Sequence, residues 1–184
     1  LIEKFMPLEF KLSKRKQGFV KKTKFGELWY TFLFYTYENF EGFEVNPVIQ
    51  IRFKEVEDLF HETSSFSEID KKGTSTIGCS VENYLQVNDT ESFRKSISIV
   101  DDVFPACSFF YHLYIKVVEP FFEKFDSLDS LNQLINDEPK KELNLIHPIF
   151  RGSKGIIISH LLKDQKHEDL LAIYSQYYSS YYDG

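Results

Sequence analysis

Apolar positions follow helical spacing at the start of the chain, alternate with polar ones through its middle, and return to helical spacing in the second half. Ile2, Phe5, Leu8 and Leu12 are three, three and four apart, which predicts a helix within residues 1–17 that Gly18 would terminate. From Phe19 to Val87 the period is two. Phe43, Val45, Ile49, Ile51 and Phe53 alternate with Glu44, Asn46, Gln50, Arg52 and Lys54, as in a half-buried strand. The preceding run Glu27 to Tyr37 is apolar or aromatic on both faces, like a central strand, and the turn residues Asn39 to Gly42 join the two as a hairpin. Val56, Leu59 and Phe60 fit a short helix, Glu62 to Gly73 reads as a polar loop, and Ile77, Cys79, Val81 and Leu85 suggest a third strand.

Beyond Asn88, Phe93, Ile97, Val100 and Phe104 predict a helix that Asn88 or Asp89 caps and Pro105 stops. Cys107 to Val118 fits either period, and its length without a turn favours helix. Asp126 or Ser127 caps a helix bearing Leu128, Leu131, Leu134 and Ile135, which Pro139 closes; Ile156 to Leu162 and His167 to Tyr182 supply two more. Strands followed by helices, rather than alternating with them, predict a single α+β domain over 1–184. It has an N-terminal helix, an antiparallel meander of about three to four strands, and a helical C-terminal half packed on the sheet.

Length supports this picture, because 184 residues can enclose a core without disulfides or metal. Two cysteines, Cys79 and Cys107, suit reduced thiols, so a cytoplasmic location is expected, with Leu1 leaving room for a start further upstream. No run nears the ~20 apolar residues of a membrane span, and no membrane association is expected. Phe and Tyr contribute 19 and 11 residues while alanine occurs twice and lysine outnumbers arginine 18 to 4. An AT-rich coding sequence accounts for much of that skew without an aromatic-binding role.

Charge is unevenly placed. Residues 1–24 hold eight basic and two acidic side chains, so the remaining 160 carry a net charge of −12. Lys14, Arg15, Lys16, Lys21, Lys22 and Lys24 form a candidate anion or nucleic-acid segment, but the acidic body opposes nucleic-acid binding. A solvated helix end and strand edge is the simpler reading. Glu55, Glu57, Asp58, His61 and Glu62 are types suited to hard-metal coordination or acid–base work, with Asp58 and His61 the weak metal candidates. His160 and His167 make a second weak pair. No metal signature, Gly-x-Ser-x-Gly or complete phosphate loop is present; Arg151-Gly-Ser-Lys-Gly155 only approaches the last. No catalytic residue and no cofactor is therefore assigned.

Five of the 11 tyrosines lie in the last eleven residues: Tyr174, Tyr177, Tyr178, Tyr181 and Tyr182 form one helical stripe. Such a stripe either docks on its own domain or serves a protein partner or self-association.

Two segments, Gly18-Phe19-Val20-Lys21-Lys22 and Glu119-Pro-Phe-Phe-Glu-Lys-Phe-Asp-Ser-Leu128, resemble patterns in small bacterial families of domains without an assigned activity. Some small acidic α+β proteins of that kind resemble the immunity proteins of polymorphic toxin systems, which bind and block a toxin domain. That resemblance implies a bacterial origin and transfers no functional residue; the acidic body, the tyrosine stripe and the lack of a catalytic signature point to a non-catalytic protein-binding module, immunity-like or regulatory. The alternatives are an enzyme or small-ligand protein whose site assembles in space, with Glu57, Asp58 and His61 the first suspects, and nucleic-acid binding through residues 14–24.

Overall fold

In a computed structural model that describes residues 1–86 and 93–182, with side chains placed up to residue 179, the chain forms an antiparallel sheet packed against helices. The strands are β1 (Lys11–Ser13), β2 (Gly18–Lys22), β3 (Gly26–Tyr35), β4 (Phe43–Phe53), β5 (Ile77–Ser80) and β6 (Lys95–Ile97). They are ordered β1-β2-β3-β4-β5, and β6 pairs with β4 beyond the end of β5. The fold class is thus α+β as expected, with six strands rather than three or four among the described residues. Among those residues, no helix is long and apolar enough to cross a membrane.

Register decides which side chains enter the core. Tyr30 pairs with Ile49 and Phe19, and Phe32 with Pro47, so Phe19, Leu28, Tyr30, Phe32, Val45, Ile49, Ile51 and Phe53 share the helical face. They are buried against Phe110, Leu113, Tyr114, Val118, Phe121 and Phe122. Tyr30 is fully buried, and its hydroxyl donates to the Phe110 carbonyl at 3.0 Å, as a buried phenol requires.

The helices differ from the expected ones at identifiable points. Residues 1–17 do not form one helix. α1 spans only Ile2–Phe5, Pro7 lies in a 3₁₀ turn, and Glu9 adopts a left-handed conformation (φ 65°) before β1 joins the sheet. Gly18 opens β2 instead of closing a helix, and a Cβ there would lie 2.4 Å from the Tyr30 carbonyl oxygen. α2 (Lys54–Thr63) matches the short helix expected there, while the polar loop contains α3 (Glu68–Lys71). The third strand ends at Ser80, whose hydroxyl accepts from the Asn83 N–H and starts α4 (Val81–Leu85).

Phe93 to Phe104 does not form a helix: β6 occupies Lys95–Ile97 because the edge of β4 offers unpaired backbone groups there. The expected caps Asn88 and Asp89 fall outside the described residues. Pro105 lies in the first turn of α5 (Val103–Leu113), where its missing N–H costs nothing. The helix continues through a wide π-type turn, Tyr114–Val118, into α6 (Glu119–Lys124), which resolves Cys107 to Val118 as helical. That turn directly precedes Pro120, which can donate no hydrogen bond to the turn before it. α7 (Leu128–Asn136) is capped by Ser127, α8 runs Pro148–Leu161 and α9 His167–Tyr182. Arg151-Gly-Ser-Lys-Gly155 is thus inside a helix rather than a loop before one.

Candidate binding surface and the buried ionic cluster

α2 starts directly where β4 ends. Its inward face is Val56, Glu57, Phe60 and His61. Glu57 is fully buried. Its Oε1 lies 2.7 Å from Lys154 Nζ and accepts the Thr76 hydroxyl at 3.0 Å, while Oε2 accepts the Thr74 hydroxyl at 2.6 Å, with Arg52 Nη1 at 3.6 Å. Lys154, 2% exposed, also donates to the Ser75 carbonyl at 2.7 Å. Burial pulls its pKa down and Glu57 opposes the shift.

The hydroxyl hydrogen of Thr74 goes to Glu57, so His61 presents Nε2–H to Thr74 Oγ1 at 2.7 Å. Its Nδ1 then takes the Ser64 hydroxyl at 2.8 Å. Burial lowers the His61 pKa, consistent with that neutral tautomer. This is not a nucleophile–base–acid relay, because Glu57 and His61 both converge on Thr74 instead of standing in series. Every polar group of the cluster is answered within the protein, and it joins α2, the segment before β5, and α8. A cavity of about 250 Å³ walled by Phe60, Phe66, Phe150 and Leu145 borders it.

Asp58 lies outside this cluster, exposed and paired with Lys54, so the two weak metal candidates point to different environments. Among the described residues, no group of three His, Cys, Asp or Glu side chains could hold a metal ion. His160 and His167 do come together, with ring centroids 5.6 Å apart, and His167 Nδ1 lies 2.8 Å from Ser159 Oγ. Cys79 faces the core beside Ile49, and burial pushes its thiol up to about 12.

Of the tyrosine stripe, Tyr174 is buried, and its hydroxyl lies 3.1 Å from the Ile135 carbonyl and 3.0 Å from Asn136 Oδ1. The Tyr178 hydroxyl accepts the Gly152 N–H at 3.0 Å and lies 2.6 Å from the Ile149 carbonyl. Gly152 and Gly155 permit this approach, since a Cβ would lie 2.5 Å from the Tyr178 ring and from Asn136 Oδ1 respectively. Tyr177 is exposed, and the side chains of Tyr181 and Tyr182 lie outside the described ones. Arg151 caps carbonyls instead of binding an external anion: it donates to Ile135 (2.8 Å), Glu138 (2.9 Å) and Lys141.

The basic segment is split by strand alternation. Lys21 lies on the helical face and pairs with Glu9 at 3.2 Å, whereas Lys22 lies on the open face. Arg15 donates to the Ile69 carbonyl and Lys16 to the Lys72 carbonyl, while Lys14 and Lys24 are exposed in turns.

The sequence signals gave no warning of the opposite end of the sheet. Phe104 and Val100 are each 79% exposed and Ile99 62%, with Leu33, Phe34 and Tyr37 also exposed. These residues belong to one end. Phe43 pairs with Ile97, Gly42 abuts Ser98, and the Phe34 ring lies 5.6 Å from that of Phe43. Asp102 fixes the segment by accepting the Ser98 and Ile99 N–H groups, which holds its carboxyl below the usual range. Exposed Glu38, Glu41 and Asp101 lie in the same two segments. Nearby Asn46 is 4% exposed, and its Oδ1 is a buried acceptor without a partner.

These features define an α+β protein whose sheet packs against helices, with a closed ionic end and an open apolar end. No family model, curated protein or solved structure matches the chain.

Proposed function

We propose that the protein is a non-catalytic binding module, immunity-like or regulatory, that engages a protein partner through the apolar end of its sheet. The observation that carries this reading is the exposure of Ile99, Val100, Val103 and Phe104 together, just past the end of β6, where Ile97 pairs with Phe43. Large apolar side chains grouped on the surface mark interaction sites. An aromatic anchor such as Phe104 suits the centre of an interface. Exposed Glu38, Glu41 and Asp101 in the two segments at this end favour a partner with basic residues beside an apolar groove. The net charge of −6 would speed such an encounter. The resemblance to small bacterial domain families without an assigned activity, and free cysteines, support a bacterial and cytoplasmic setting.

The enzyme alternative has less support, because Glu57, His61 and Lys154 are each satisfied within the protein, His61 by Ser64 and Thr74 and Glu57 by Lys154, Thr74 and Thr76. The test compares the wild-type chain with a Val100→Asp/Phe104→Asp variant in affinity capture from nuclease-treated lysate and in light scattering. One stoichiometric basic protein, captured by the wild type and lost by the variant at unchanged melting temperature, is expected. Capture indifferent to the substitutions would overturn the assignment, and so would a self-associated species that alone disappears in the variant.

A further inference from the structure

A second surface stands on different observations, on the sheet face away from the helices. Alternation puts Lys11, Val20, Lys22, Glu27 and Trp29 on that face, with Lys11 beside Val20 and Lys22 beside Glu27. The turn between β1 and β2 folds over it. Lys16 Nζ stands 3.1 Å from the Trp29 ring centroid and donates to the Lys72 carbonyl at 2.9 Å, and Arg15 reaches the Ile69 carbonyl at 2.7 Å. These two anchors draw a segment more than 50 residues away onto the sheet. The result is a basin of about 500 Å³.

Its cations are Lys11, Arg15, Lys16, Lys22 and Lys72, against Glu9 and Glu27. Both acids are engaged: Glu27 accepts the Trp29 Nε1–H at 2.8 Å, and Glu9 pairs with Lys21. Among the described residues, Lys11, Arg15, Lys22 and Lys72 form no salt bridge, and five cations against two acids leave the lining net positive in an otherwise acidic protein. Burial pulls Lys16 down to about 8, with Arg52 and Arg15 adding to the shift and Glu27 opposing it; an anion would relieve that cost.

We propose that this basin binds a small anion carrying two or more phosphate groups. Charge, not base recognition, sets its specificity. Lys16 covers the Trp29 ring, leaving no open aromatic face on which a nucleobase could stack. The net −12 of residues 25–184 also disfavours a long polyanion tracking beyond the basin.

The experiment is isothermal titration of the full chain with orthophosphate, pyrophosphate and tripolyphosphate, and with a single-stranded oligonucleotide, at two salt concentrations. One anion per chain is expected, bound more tightly as phosphate groups are added. Lys22→Gln with Lys72→Gln, both exposed, should weaken tripolyphosphate about tenfold or more at unchanged melting temperature. Lys116→Gln, an exposed lysine of the helical layer that does not line the basin, should change it by less than about twofold. Three results would overturn the proposal: no saturation at millimolar tripolyphosphate, equal loss in both variants, or tighter binding of the oligonucleotide at equal phosphate concentration. The last would point to nucleic acid instead.

Discussion

The two ends of β4 treat polarity in opposite ways. At its C-terminal end the protein buries Glu57, Lys154 and His61; about 35 Å away, at its N-terminal end, it leaves Phe104, Val100 and Ile99 in solvent. Burying charges is tolerable only when each finds partners, and Glu57 has Lys154, Thr74 and Thr76. Exposing large apolar groups forgoes burial worth roughly 1.5–3 kcal/mol per side chain. The first end is complete within one chain, whereas the second would gain from a second molecule.

The largest effect should come from Lys154→Met, which strands the Glu57 carboxylate in the interior. A loss of about 3–5 kcal/mol is expected in urea unfolding, largely restored by adding Glu57→Gln. A loss below about 1 kcal/mol would mean that packing alone, not the ion pair, closes this end.

A smaller, pH-dependent effect belongs to His61. Its folded pKa is depressed by burial, with Arg52, Lys154 and Lys71 adding to the shift and Glu57 opposing it. The unfolded imidazole therefore takes up protons first, and stability falls as pH drops below about 6.5. Comparing urea midpoints at neutral and mildly acidic pH should show this slope in the wild type and a shallower one in His61→Gln. Equal slopes would assign the acid sensitivity elsewhere.

The smallest stability effect should come from Phe104→Ser at the open end, within about 0.5 kcal/mol of the wild type by thermal unfolding. A large loss would show that Phe104 packs within its own fold and would remove the contrast between the ends.

Much of the core was legible in the sequence, because alternation and helical spacing report directly on which side of a regular element meets the interior. The Glu27–Tyr37 and Phe43–Phe53 hairpin, the Ser127 cap and the α9 stripe could all be read this way. The same signal misled over Phe93 to Phe104. Val100 and Phe104 had the spacing of a buried helical face, yet the edge of β4 captured Lys95–Ile97 and left both residues outside. Periodicity records that apolar residues can share a face, not that anything covers it.

Glu57 and His61 were visible as candidates, but Lys154 was hidden in a glycine-flanked segment that looked like a loop. Its partner lies 97 positions earlier, and no local pattern encodes such a pairing. The basic segment announced its charge, while the selection of Lys22 over Lys21 followed from strand register, Arg15 and Lys16 entered through the folded turn between β1 and β2, and Lys72 joined only through loop docking. Local composition and period thus determined the α+β class, the hairpin and most core faces, since each depends on backbone geometry within a few residues. Tertiary structure alone decided which charges became buried partners, which apolar groups stayed exposed and which lysines gathered around one basin. Those outcomes depend on what distant segments bring within a few ångströms.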